Sequence, residues 1–273
     1  CARVHGKFML NHPDRAVIEL ANKKYVIKIY NLSRGRSLYF AEKDFFLNRN
    51  PAPHPELFHF DDQAQALVME NLNNLGLVQM FTFMHEPGCD LERIEKSVIS
   101  LGQALGNMHH KWGFEGKVNH KEYADYTNRA ERALNLLSQR GYNILPRDSF
   151  IPFVERMRNF AEGEEYVYGH GDPFAWNIFL SPDSGKVEGL IDAELSGFCA
   201  RSLEIANTIL GLIDARKNNA VLIRSTPQML KGFIDCYSSL AEVNTKEDIF
   251  WKRIHLYIIC QLIIGALVAH EKW

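Results

Sequence analysis

The residues best suited to chemistry lie in Tyr168 to Leu180, YGHGDPFAWNIFL, and in Gly189 to Leu195, GLIDAEL. Asp172 follows His170 by two residues and Asn177 follows Asp172 by five, in a stretch broken by Pro173. Such a stretch reads as a loop. Ile178 to Leu180 then reads as a short apolar strand, SPDSG as a turn, and Lys186 to Ile191 as a returning strand ending at Asp192. A hairpin of that length returns Asp192 to the neighbourhood of Asn177. An amide oxygen beside a carboxylate offers the hard oxygen ligands that magnesium prefers, and magnesium neutralises phosphate oxygens during phosphoryl transfer. Asp172 could orient an acceptor hydroxyl and take its proton late in the transfer. Positioning comes first, because a carboxylate is a weak base. The bland alternative is a polar hairpin loop whose Asp and Asn cap turns. Gly169 and Gly171 begin no dinucleotide-binding turn, since the next required glycine position holds Phe174.

HGDPFAWN followed by LIDAE resembles the HGDxxxxN and IDxE/D pair of the aminoglycoside phosphotransferase-like kinases, relatives of choline, fructosamine and homoserine-type kinases. The resemblance implies an α+β, bilobal protein-kinase-like fold. A small antiparallel-sheet N-lobe would span about residues 1–71 and a larger, mainly helical C-lobe about 72–273. It further implies Asp172 as catalytic base, Asn177 and Asp192 as Mg2+ ligands, and His170 as a brace for the loop. The phosphoryl donor it implies is ATP or GTP. Ala193 stands where the family often has an aromatic residue, and Trp176 where a small residue commonly precedes the metal-binding Asn. Both change the shape of a pocket and leave the oxygen ligands intact.

The elements that must position these residues begin with three strands. Arg3 to Leu10 alternates loosely, NHPD reads as a turn, Arg15 to Ala21 as a second strand, and Tyr25 to Tyr30 as the β-branched run YVIKIY. In that run Val26, Lys28 and Tyr30 share one face, so Lys28 is either an edge residue or one directed at an anion. In the kinase-like fold a lysine on the third strand contacts nucleotide phosphates and is held by a carboxylate of the next helix. SLYFAEKDFFLNRN supplies that helix, with Ser37 as its N-cap and Pro51 at its end. Glu42 is the chosen partner and Asp44 the runner-up; a surface acid is the bland reading of either. NHPDRAV between the first two strands contains no glycine, unlike loops whose backbone N–H groups approach phosphate closely. Leu57 to Phe60 and Ala66 to Glu70 make a further hairpin, and the backbone around Glu70 to Leu72 would form the interlobe hinge that pairs with the base.

Beyond the hinge the pattern is helical. Asp90 caps a helix with Ile94, Val98, Leu101, Leu105 and Met108 at helical spacing, and LGQALGNMH resembles the LxxALxxLH helix of the same family. His109 reads as a packing and hydrogen-bonding residue. Further helices are expected over Tyr123–Arg140, Pro152–Glu162, Leu203–Lys217, Pro227–Ala241 and Lys246–His270. Glu162, Glu164 and Glu165 could attract a cationic substrate, although a solvated turn is the stronger reading. ARSLEIAN looks like the family's segment ending DLA, with Glu204 in an architectural role.

Composition narrows the partners. A chain of 273 residues that is 46% hydrophobic, with a formal net charge of −2, is an ordinary globular protein without the basic excess of a nucleic-acid binder. The five cysteines, at 1, 89, 199, 236 and 260, show no CxxC spacing and read as reduced thiols of a cytoplasmic-type compartment. No HExxH motif accompanies the 11 histidines. The apolar segment Ile254 to His270 is interrupted by His255, Gln261 and Gly265, as suits a buried terminal helix better than a membrane span. The expectation is a small-molecule kinase acting on a hydroxyl of an aminoglycoside, amino sugar, choline-like alcohol or glycated amine. The alternatives are a protein-directed kinase, or a catalytically silent nucleotide-binding module suggested by the glycine-free loop.

Overall fold

A computed structural model of the protein describes residues 6–47, 52–72, 75–76, 90–111, 120–142, 149, 152, 155, 164–214 and 220–271. The first layer is an antiparallel sheet of β1 (Gly6–His12), β2 (Arg15–Leu20), β3 (Tyr25–Tyr30), β4 (Leu57–Asp61) and β5 (Ala66–Glu70), in the order β1-β2-β3-β5-β4. The first hairpin is tighter than NHPD suggested. Strand β1 continues through Asn11 and His12, His12 pairs with Arg15, and the turn is Pro13–Asp14 alone. Alternation in β3 buries Val26, Lys28 and Tyr30 on one face, which removes the edge reading of Lys28.

Helix α1 (Arg36–Leu47) lies on that face and buries Tyr39, Glu42, Phe45 and Phe46. It starts one residue before Ser37, so Ser37 is not its N-cap. The preceding turn is instead braced by Asn31, whose Oδ1 accepts hydrogen bonds from the N–H groups of Ser33 and Arg34 at 3.0 and 3.2 Å. Glu42 and Asp44 are two residues apart, hence about 200° apart around the helix. Glu42 is buried and Asp44 exposed.

The second layer is helical: α2 (Leu91–Lys111), α3 (His120–Gln139), α4 (Arg201–Asp214), α5 (Ala220–Ala241) and α6 (Asp248–Glu271). Asp90 caps α2 by accepting the N–H of Arg93 at 3.1 Å. Ile94, Val98, Leu101, Leu105 and Met108 form its buried stripe. The helix packs closely along α5; a Cβ on Gly102 would stand 2.5 Å from the Phe233 carbonyl oxygen. Pro227 lies inside α5 and does not begin it. Burial of Met229, Phe233 and Tyr237 on that helix offsets the roughly 3 kcal/mol that an interior proline costs. His109 is buried, and its Nδ1 lies 2.7 Å from the Tyr237 hydroxyl, which also accepts from Arg201 at 3.0 Å.

Asp248–Ala269 of α6 is long and apolar enough to cross a membrane by length and composition alone. One side of it, with Ile254, Tyr257, Cys260 and Ile263, is buried where the helix packs on α3 and α4. Most of the segment expected as a helix over Pro152–Glu162 lies outside the described residues, as do Cys1, Cys89 and Glu162. Glu164 is no solvated turn residue. It is buried, accepts the Ser202 hydroxyl at 3.0 Å and faces Arg253 at 3.4 Å, while Glu165 pairs with Arg201 at 2.7 Å.

Candidate active site

Between the layers lie two small sheets, β7 (Tyr166–Gly169) paired with β10 (Gly197–Ala200), and β6 (Leu75–Gly76), β8 (Ile178–Leu180) and β9 (Val187–Leu190). The loop from His170 to Asn177 leaves β7 and ends in a short 3-10 turn, Ala175–Asn177. It is held from beneath. Both oxygens of buried Glu204 on α4 accept backbone N–H groups, from His170 at 2.7 Å and Gly171 at 3.1 Å. Burial pushes the Glu204 carboxyl up to about 7 despite these donors. Gly171 has φ +84°, and a Cβ there would lie 2.1 Å from the Leu195 carbonyl oxygen, so only glycine fits.

The partners of His170 assign its tautomer. Nε2 sits 2.9 Å from the Ile191 carbonyl, which can only accept, and Nδ1 sits 3.4 Å from the Asp172 N–H, which can only donate. Burial lowers its pKa to about 4, so the ring is a neutral strut between the loop and the end of β9.

Asn177 Nδ2 donates to both the main-chain oxygen and Oδ2 of Asp172, each at 3.0 Å. Its Oδ1 thereby becomes the oxygen available to a cation. The β8–β9 hairpin pairs Ile178 with Leu190, and Ile191 N–H donates to the Asn177 carbonyl at 2.9 Å. Asp192 follows directly in the left-handed conformation, φ 64° and ψ 42°, a region that Asp tolerates better than most residues.

Lys28 reaches Asp192 from the sheet. Its Nζ lies 2.5 Å from Asp192 Oδ1, 2.9 Å from Glu42 and 2.6 Å from Glu194. Lys28 is only 3% exposed. Burial alone would lower its pKa, but the three carboxylates together hold it above the usual lysine range. Arg15, the first residue of β2, donates to Asp192 Oδ2 at 3.0 Å and to Glu194 at 2.7 Å. The Tyr30 hydroxyl donates to Glu42. Two cations thus face three carboxylates, five groups brought together from β2, β3, α1 and the stretch Asp192–Glu194.

The field sorts the acids. Burial raises Asp172 to about 6, aided by the negative charge of Asp192 and opposed by the hydrogen bond from Asn177. Burial likewise lifts Glu194, to about 7, against the pull of Lys28. Asp192 moves the other way, because the charge and hydrogen bond of Lys28 outweigh its burial.

A cleft of about 250 Å³ opens between sheet and hairpin. Val17, Val26, Met69, Leu72, Phe179 and Ile191 form its apolar walls, while Arg15, Lys28, Asn177 and Asp192 form its polar end. Glu70 and Leu72 lie at the other end. The Glu70 N–H is donated to Glu56 and the Asn71 N–H to Lys24, both at 2.9 Å. Among the described residues the Leu72 N–H has no main-chain partner. Asp172 stands beyond the cleft, behind Asn177. Beside it Trp176 is 47% exposed and stacks on Phe174 at 4.7 Å.

Among the described residues no group of three or more His, Cys, Asp or Glu is arranged to hold a metal. An amide oxygen with one carboxylate suits an ion that keeps waters and takes phosphate oxygens, which is magnesium's habit, and does not suit a closed protein cage. Three residues of the cluster escaped the sequence reading. Glu194 carries the signal of its place in LIDAE and Tyr30 that of sharing a strand face with Lys28, whereas Arg15 carries none, since only its register opposite Tyr30 brings it there.

The sequence matches no protein-family model and no curated protein. Solved structures do match. Aminoglycoside phosphotransferase APH(3'')-Id from Streptomyces rimosus superposes with a TM-score of 0.61 at 13% identity, over 95% of this chain and 92% of that one. The same enzyme has been solved in complex with ADP and streptomycin. An aminoglycoside-3'-phosphotransferase of type VIII gives 0.58 at 15% identity, over 96% and 94% of the two chains. Plasmodium vivax ethanolamine kinase gives 0.53 at 16% identity, over 96% and 75%. At such identities the likeness speaks for architecture, and by it the chain has the bilobal protein-kinase-like fold of the aminoglycoside phosphotransferases and their relatives.

Proposed function

We propose that this protein is a phosphotransferase that moves the γ-phosphoryl group of ATP or GTP to a hydroxyl of a small molecule, with magnesium. The observation that carries the reading is the convergence of four groups from three separate stretches of chain. Lys28 reaches Asp192 at 2.5 Å, and Asn177 holds Asp172 at 3.0 Å on the far side. The fold it shares with kinases of aminoglycosides and of ethanolamine supports a small-molecule acceptor.

In this reading residues 1–71 hold the nucleotide and residues 72–273 supply the catalytic loop and the acceptor pocket. The base lies between the apolar walls, against the backbone of Glu70 and Leu72, with the phosphates toward Lys28. Glu42, buried and fixed by Tyr30, keeps the Lys28 ammonium in place. Asn177 Oδ1 and Asp192 would hold magnesium, which supplies charge neutralisation on the phosphate oxygens when bound. Asp172 accepts a hydrogen bond from the acceptor hydroxyl and orients its oxygen in line with the γ-phosphorus. As the new P–O bond forms and the bond to the bridging oxygen breaks, the hydroxyl proton passes to Asp172. Its pKa, raised to about 6, leaves it ionised at neutral pH and a better base than an exposed aspartate.

The test is label transfer from γ-labelled ATP and, separately, GTP with magnesium. Acceptors are an aminoglycoside panel, ethanolamine, choline and a metabolite extract, with Asp172→Asn as control. Asp172-dependent label in a small molecule establishes the reading and identifies its acceptor class. Label found on a polypeptide, or nucleotide bound with no transfer at all, rejects it in favour of a protein kinase or a silent nucleotide-binding module.

A further inference from the structure

The glycine-free turn between β1 and β2 leaves the nucleotide phosphates without the backbone N–H groups that usually cover them in this architecture. The turn is only Pro13–Asp14, and Pro13 has no N–H to offer. Immediately after it stands Arg15, a lining residue of the cleft, at the polar end beside Asp192 and opposite the hinge. Its Nη1 and Nη2 hydrogen-bond Glu194 and Asp192. Its Nε is buried and, among the described residues, has no hydrogen-bond partner. A buried guanidinium N–H without an acceptor is costly, and an oxygen of a ligand in the cleft that Arg15 lines would supply one.

Charge balance points the same way. Both oxygens of Asp192 are taken by cations, Oδ1 by Lys28 and Oδ2 by Arg15. A metal bound at Asp192 would repel both cations and compete with them for its oxygens. Lys28 keeps Glu42 and Glu194 whatever happens at Asp192, whereas Arg15 keeps only Glu194 and frees Nη2 beside its unpartnered Nε. Two adjacent N–H donors on a planar guanidinium match two oxygens of one phosphate. We infer that Arg15 is a phosphate-binding residue, gripping the terminal phosphates of the nucleotide with Nε and Nη2 and doing with one side chain what a glycine-rich loop does with its backbone.

The inference rests on the nucleotide-binding reading above, and the experiment separates the two. Titration calorimetry on the full chain would measure wild type, Arg15→Gln and Arg15→Lys against ATP or GTP, whichever wild type binds more tightly, and against the matching monophosphate. Each is run with magnesium and with chelator. Arg15→Gln is expected to weaken triphosphate binding about ten- to hundredfold, the value of a charge-assisted bidentate contact, and to change monophosphate binding less than about twofold. Arg15→Lys keeps the charge without the fork and should fall between. It also serves alone if Arg15→Gln does not fold, with a loss of at least about threefold for triphosphate only. Equal effects on triphosphate and monophosphate would overturn the inference, because a residue that merely shapes the cleft affects both. Tighter triphosphate binding in Arg15→Gln would overturn it too, by making Arg15 a competitor for Asp192. If wild type binds no nucleotide, the functional reading fails and takes this inference with it.

Discussion

Replacing Asp172 by Asn tests chemistry and electrostatics together, since the same carboxylate is expected to drive turnover and to weaken the fold. Asp172 is raised from 3.8 to about 6, first by burial and then by the charge of Asp192. Below pH 3.8 the group is protonated in both folded and unfolded chains and costs nothing. Between that value and 6 the unfolded chain ionises while the folded one does not, so stability falls as pH rises, by at most about 1.4 kcal/mol per unit. Above 6 the loss is constant at roughly 3 kcal/mol, or about 1–2 kcal/mol once partial solvent access is allowed for. Asn keeps the shape and can still accept from Asn177 Nδ2 while shedding that penalty. Asp172→Asn should therefore melt about 2–6 °C above wild type at pH 7.5, with the advantage roughly halved at pH 5. Turnover should fall by about two to four orders of magnitude, a barrier increase of roughly 3–5 kcal/mol, with nucleotide affinity near normal. Scanning calorimetry at the two pH values and label transfer read both effects. A variant that melts below wild type at pH 7.5 would refute the electrostatic argument, and one with full turnover would refute the role of Asp172.

The same geometry makes three further claims. Asp192→Ala should abolish the magnesium dependence of nucleotide binding, so that calorimetric titrations with magnesium and with chelator give the same affinity; a surviving dependence would place the metal elsewhere. Gly171→Ala should lower stability by more than about 3 kcal/mol, because its φ of +84° and a Cβ 2.1 Å from the Leu195 oxygen leave no relaxed conformation. An unchanged denaturant midpoint would show the loop to be looser than described. Glu204→Gln sets an amide NH2 against one of two N–H donors and should cost about 1–3 kcal/mol in chemical denaturation, with activity lost beyond what the unfolded fraction explains.

Much of the site was legible because its chemistry is local. Asp172 and Asn177 share one loop, and the register of a short hairpin dictates the return to Asp192, so spacing brought the three together and the resemblance of the two motifs gave them roles. The period of two along a strand put Lys28 on one face with Val26 and Tyr30, and its place inside the sheet then decided that it is buried, while the stripe of α2 followed from the period of its helix. Local signals failed where a competing contact lay far away in the chain. Ser37 is a good cap, but Asn31 organises the turn one step earlier. Glu164 looks like part of an acidic surface turn until Ser202 and Arg253 close over it. Pro227 looks like a helix start until α2 supplies the surface that carries the helix through it.

The sequence by itself determined the residue types of the loop from His170 to Asn177, the strand that carries Lys28 and the alternation of sheet and helices around them, since these depend on neighbours a few positions apart. Only the tertiary structure decided that Glu42 and not Asp44 meets Lys28, that Glu194 and Arg15 join the cluster, and that the acids diverge in pKa. Those outcomes depend on how the sheet, α1 and the β8–β9 hairpin lie against one another, and on the low-dielectric contact in which charges from remote segments set each other's protonation.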